Sequence, residues 1–191
     1  GGEGQSLLIV GAAGGVGSIA IQLARALTGL TIIATASRPE TRDWVTSLGA
    51  HHVVDHRGDL ASAVTAVALG GVDYVFSTNA TEQHWPALVE VAAPQARLGI
   101  IDDPSSLDPT LLKMKSLSLS WEFMFTRSMH ATPDMAEQGR LLTRLAGLVD
   151  DGRVRSTLAD VPGTLSVDTL RDAHARLERG TARGKIVLTV N

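Results

Sequence analysis

After the run Ser6-Leu-Leu-Ile-Val10 the chain turns through Gly11-Ala12-Ala13-Gly14-Gly15-Val16-Gly17, and glycines at this spacing suit one kind of chemistry. Glycine lets a backbone turn tightly and approach an anion closely. The amides and positive dipole end of a following helix then stabilise the charge. Against the pattern Gly-x-Gly-x-x-Gly the first position is Ala12, so the match is Ala12-x-Gly14-x-x-Gly17. The pattern gains weight from its place between a strand-like run and a helical one, where a dinucleotide would lay its diphosphate. Without a ligand the same residues make a tight turn between strand and helix.

About 20 residues further on, an NAD site places an acid on the ribose 2′-hydroxyl. Here the stretch is Ala36-Ser37-Arg38, without a carboxylate. A guanidinium at Arg38 can grip a 2′-phosphate at two oxygens and the Ser37 hydroxyl can donate to a third, which predicts NADPH over NADH. The missing acid also weighs against a methyltransferase. A short-chain dehydrogenase needs a Tyr with a Lys four residues on, whereas Tyr74, the sole tyrosine, is followed at that distance by Thr78.

Those residues need elements to hold them. Ser6 to Val10 is a continuous apolar run, as expected of a parallel strand buried on both faces. Val16, Ile19, Ala20, Leu23, Ala24 and Leu27 then follow helical spacing, with Gly29 placed to cap the end. A β-branched run at 31–36 is the second strand. The alternation predicts helices at 39–48, 60–69 and 83–92, with strands at 52–54, 72–77, 97–101 and 117–121. Beyond Met124 it changes to a helix at 133–149, a Gly152 turn, a helix at 167–178 and a last strand at 185–190. The expected fold is a doubly wound parallel sheet, the Rossmann arrangement, of six strands with helices on both faces, filling residues 1–191 with no internal boundary.

Composition agrees. Of 191 residues 44% are hydrophobic and 19% charged, which suits a folded domain and not a disordered chain. No apolar run approaches the ~20 residues of a membrane span, and no basic-then-apolar leader opens the chain, so a soluble cytoplasmic protein is expected. The net charge of −3 offers no attraction to nucleic acid or an anionic membrane, and aromatics at 4% leave little for base stacking. The absence of cysteine excludes disulfides, thiolate catalysis and thiolate-bound zinc within these residues.

Val10 to Ser18 with Gln22-Leu-Ala24 resembles the cofactor domain of the medium-chain dehydrogenase/reductase superfamily, particularly its quinone oxidoreductase-like branch. Thr35 to Glu40, Asp102 to Pro104, Trp121 to Met129 and Gly184 to Leu188 look like its zinc-type alcohol dehydrogenase-like group. The resemblance implies Gly14, Gly15, Val16 and Gly17 at the pyrophosphate, Ser37 and Arg38 at the 2′-phosphate, and His56 near that phosphate. It implies Asn79 by the adenosine, Ile101 and Asp102 by the nicotinamide, Phe123 approaching the nicotinamide, and Lys185 reaching the pyrophosphate. For Asn79, Phe123 and Lys185, a turn, core packing and a solvated charge stay open.

The resemblance further implies a separate N-terminal GroES-type domain holding the substrate cleft and any zinc ligands, with a small-molecule substrate bound there. These residues alone would then bind nucleotide without turnover, and residues 185–190 would be left with an unpaired edge. The expected activity is hydride transfer between NADPH and a carbonyl, enone or quinone. The alternative is a non-enzymatic NADPH-binding sensor or scaffold. The sixth strand suggests a homodimer.

Three signals are set aside. His51, His52, Asp55 and His56 lack the spacing of a two-histidine metal site, because alternate strand residues face opposite ways. Asp102 and Asp103 diverge as neighbours, and Pro104 marks a loop, which favours backbone contacts over acid–base work. His84 and His130 are expected in loops.

Overall fold

The computed structural model describes residues 1–190. Strands β1 (Ser6–Val10), β2 (Thr31–Thr35), β3 (His52–Val54), β4 (Val72–Ser77), β5 (Ala92–Ile100) and β6 (Ser118–Trp121) form one six-stranded sheet in the order β3-β2-β1-β4-β5-β6. Every neighbouring pair is parallel. Strand order reverses at β1/β4, so a cleft opens beyond their carboxyl ends.

Alternation along the strands divides the core in two. Ile9, Ile32 and Ala34 face α1 (Gly15–Leu27) and α2 (Pro39–Ser47), packing on Ile21, Val45 and Leu48. Leu8, Val10, Ile33, Val75 and Leu98 face the other way, toward α3 (Leu60–Thr65) and α4 (Thr81–Val91), and meet Val64, Trp85 and Leu88. Each fully buried Leu or Ile contributes about 1.5–3 kcal/mol, which fixes the register of the central strands and the place of the glycine turn after β1.

Several boundaries differ from the sequence expectation for local reasons. Helix α1 is closed by Thr28, whose Oγ1 donates to the Ala24 carbonyl at 2.7 Å, and Gly29 is not among the glycines with left-handed backbone. Helix α3 stops at Thr65, well short of Leu69, and Leu69 is exposed ahead of Gly70-Gly71. Helix α4 begins at Thr81, not Gln83, and His84 lies inside it, not in a loop. β5 starts five residues early, at Ala92, through a stretch holding Pro94 and a left-handed Gln95, with an irregular register against β4.

Past β5 a 3-10 helix (Pro109–Lys115) precedes β6, and the single turn α5 (Thr126–Met129) follows it. Helix α6 (Glu137–Asp150) begins four residues later than expected, because Asp134 ties the preceding turn to Thr132 and Arg127. Helix α7 (Val167–Glu178) has its expected span, with Ser166 accepting the Thr169 amide. The last strand, β8 (Lys185–Thr189), pairs in parallel with an unforeseen β7 (Leu158–Thr164) as a separate two-stranded sheet. No helix among the described residues is long and apolar enough to cross a membrane.

Candidate dinucleotide site

The glycine turn is tight because Gly11 carries φ +72; a Cβ there would stand 2.4 Å from Thr78 Oγ1. The tight-turn role therefore falls on Gly11, one residue before the Ala12 of the sequence match, and Ala12 itself is fully buried. The Gly14 amide donates to the Gly11 carbonyl at 3.0 Å, and Gly14 then caps α1 with no side chain. The first-turn amides of α1 thus keep their capacity to bind an anion. A Cβ at Gly17 would lie 2.5 Å from both Ala12 Cα and the Gly11 carbonyl oxygen, so glycine there lets α1 seat against the turn.

A cavity of about 370 Å³ opens over this turn. It brings together Gly14, Gly15, Val16, Ser37, Arg38, His56 and Asn79 of the sequence candidates. Gly17 lies beneath it in α1. Lys185 crosses the turn, with Cε 2.6 Å and Nζ 3.0 Å from where a Gly15 Cβ would be. That sets an ammonium beside the uncapped amides.

Ile101, Asp102 and Phe123 lie outside this cavity. The Asp102 carboxylate turns back to accept the Thr81 amide at 2.9 Å and the Thr81 hydroxyl, capping α4 where Ala80 has no acceptor to offer. Phe123 is half exposed and stacks edge-on against Phe125 at 5.5 Å.

Two guanidinium groups stand beyond β2 and β3, Arg38 in the cavity wall and Arg57 outside it. Arg38 donates through Nε to Glu40 at 2.7 Å, through Nη1 to the Gly180 carbonyl at 2.9 Å and through Nη2 to the Thr181 carbonyl at 3.1 Å. It thereby ties the cavity to the segment between α7 and β8. Gly180, Ala182 and Gly184 of that segment line the cavity, and the Gly184 amide donates to the Ala13 carbonyl at 2.8 Å. Sequence reasoning missed this wall; its only local mark was the pair of glycines flanking Thr181 to Arg183. Arg57 binds both oxygens of Asp55 and holds that carboxyl down at about 2.

His56 and His84 meet edge to face at 5.9 Å, and His56 Nδ1 is buried with no hydrogen-bond partner among the described residues. An orphan of that kind costs about 1–3 kcal/mol, so it suits a position that a ligand completes. Burial lowers the pKa of both rings, and the Arg57 and Arg38 charges lower His56 further against the opposing pull of Asp55. The fold thus favours neutral rings while the unfolded chain takes protons at the ordinary value of 6.5. Stability from these groups is complete above that pH and is lost as pH falls through it toward the lowered values. The melting temperature of the unliganded chain is expected to hold between pH 8 and 7 and to decline below about 6.5, with His84→Gln flattening the decline. A melting temperature that rises on acidification from pH 7 to 5.5 would refute this.

These residues fit a nicotinamide dinucleotide: the cradle excludes side chains, its amides are uncapped, and the Arg38 guanidinium stands in the cavity wall. They do not fit zinc. The chain has no cysteine, and no group of three His, Asp or Glu among the described residues could hold a metal ion.

A zinc-type alcohol dehydrogenase-like protein of Staphylococcus aureus is 38% identical over 189 residues, taking in 98% of this chain and 56% of that protein. The chain therefore spans about half the length of the curated relatives it matches. A Rhizobium etli structure assigned to the zinc-dependent alcohol dehydrogenases superposes with a TM-score of 0.89 at 54% identity, over 96% of this chain and 54% of that one. A mycobacterial protein complexed with NADPH reaches a TM-score of 0.82 at 26% identity, over 98% of this chain and 57% of that one. Since residues 48–188 match the zinc-binding dehydrogenase family, and the six-stranded sheet with its glycine turn is the fold of those neighbours, the chain belongs to that family.

Proposed function

We propose that the chain holds NADPH for an oxidoreductase that moves a hydride between that cofactor and a carbonyl, enone or quinone. The observation that carries this is the uncapped start of α1 opening onto the same cavity as Ser37 and Arg38. The NADPH complex of the similar mycobacterial protein supports it. The diphosphate would rest on Gly14, Gly15 and Val16 beside Lys185, over a turn held by Gly17. The 2′-phosphate would meet Ser37 and Arg38, with His56 near it, and Asn79 would face the adenosine. Ile101, Asp102 and Phe123 would border the nicotinamide from outside the cavity. The nicotinamide supplies the hydride; this chain binds it, orients it and sets its electrostatic surroundings. The substrate, and any zinc, would belong to a further domain. β6 is the sheet edge and Trp121 on it is 56% exposed, which supports pairing of two copies through that strand.

Arg38→Ala separates charge recognition from general binding. A charge-assisted hydrogen bond contributes about 1.5–3 kcal/mol, so NADPH affinity measured by calorimetry is expected to fall about 10-fold or more relative to NADH. The ratio is the readout, because loss of the bonds to Gly180 and Thr181 would weaken both nucleotides alike. An equal loss for both would refute the 2′-phosphate assignment.

A further inference from the structure

We propose that Arg57 is a second guanidinium reading the 2′-phosphate, and that Asp55 orients it. This rests on the cavity binding NADPH, as argued above. Arg57 follows β3, and its Nη2 reaches across to the Ser37 carbonyl at 2.9 Å, on the very loop expected at that phosphate. Asp55 holds its other edge: Nε lies 3.2 Å from Oδ1 and Nη2 2.8 Å from Oδ2, while the Arg57 amide donates to Oδ1 at 2.9 Å.

The two arginines are differently placed for an incoming anion. Each guanidinium nitrogen of Arg38 already has a partner, two of them carbonyls of the α7–β8 segment. On Arg57, Nη1 has no partner among the described residues, and the side chain is 62% exposed against 32% for Arg38. A guanidinium pinned along one edge has already lost most of its rotamer freedom, so binding an oxygen through the free nitrogen costs little further entropy.

Net charge alone would not select a dianion here, since Asp55 and Glu40 stand beside the two arginines. Selection falls to oriented donors: the free Nη1 of Arg57, the Ser37 hydroxyl and the remaining N–H groups of Arg38. The competing explanation is an exposed Asp–Arg pair that only stiffens the turn. Such pairs are worth about 0–1 kcal/mol and would leave nucleotide choice untouched.

The test is calorimetric titration of the wild type, Arg57→Ala and Arg57→Lys with NADPH, NADH and 2′,5′-ADP. Arg57→Ala is expected to weaken NADPH and 2′,5′-ADP about 5- to 10-fold while NADH stays within about 2-fold; Arg57→Lys, keeping the charge but not the planar fork, recovers part of the loss. As the side chain is exposed, the melting temperature should stay within about 2 °C of wild type. An unchanged NADPH-to-NADH ratio in Arg57→Ala overturns the role of Arg57 and leaves the cavity assignment standing. A wild type that binds none of the three overturns both.

Discussion

Gly17→Ala is expected to destabilise the fold by about 3 kcal/mol and to remove most nucleotide affinity. The added Cβ would meet Ala12 Cα and the Gly11 carbonyl at 2.5 Å and the Ala12 carbonyl at 2.7 Å. All three are backbone atoms, so no side chain can swing aside. Relief requires α1 to lift from β1, which opens the contact of Ile21 with Ile9 and Ala12, all fully buried. For a domain of this size the loss corresponds to a drop of about 6–12 °C in melting temperature. The same shift would tilt the α1 amides away from the cavity.

Gly15→Ala is the matched control. The atoms nearest its Cβ would be Cδ, Cε and Nζ of Lys185, a flexible chain that can move, and alanine suits a helix better than glycine by up to about 1 kcal/mol. Stability should hold while the cradle narrows and Lys185 is displaced, so NADPH binding falls without unfolding. A Gly17→Ala chain melting within about 2 °C of wild type would show that the glycine is not there for close packing.

The contrast between those glycines marks what the sequence could disclose. β1, β3, β4 and α7 stand where expected because their signals are local: an apolar run at Ser6–Val10, β-branched and aromatic residues in Val53-Val54 and Val72–Ser77, and helix-forming residues between Ser166 and Gly180. The elements that moved depend on distant partners. Helix α4 starts early because Asp102, 21 residues on, supplies the cap that Ala80 lacks. β7 contains Pro162 and Gly163 and has no alternating pattern; it exists because β8 lies beside it. In the site, the turn glycines and the Ser37-Arg38 pair were legible, since each is a short motif at the end of a strand. The wall at 180–184 was not, because what brings it to the cavity is chain crossing from elsewhere.

Trp44→Ala carries the other large effect, because one ring joins the core to that wall. On α2, Trp44 packs beside Val45 and Leu48 and donates through Nε1 to Ser18 Oγ at 2.8 Å. The guanidinium groups of Arg155 and Arg183 stand 5.8 and 5.5 Å from its ring centre. Its Cζ2 would be 3.0 Å from a Cβ at Gly184, whose amide bonds the glycine turn. Truncating a buried Trp costs about 3–5 kcal/mol; Trp44 is only partly buried, so about 3 kcal/mol is expected, including the two cation–π contacts at about 0.5–1 kcal/mol each. Without the ring, Gly184 and Lys185 lose the surface that holds them over Gly14 and Gly15. NADPH and NADH should therefore weaken together by about 10-fold, in contrast to the selective losses expected at Arg38 and Arg57. Trp44→Phe keeps much of the packing and loses the bond to Ser18, which should cost about 1 kcal/mol and leave binding within about 3-fold. Denaturant melts and calorimetry on both variants separate these outcomes, and a Trp44→Ala chain that is destabilised yet binds both nucleotides at wild-type affinity would show that the wall stands without the ring.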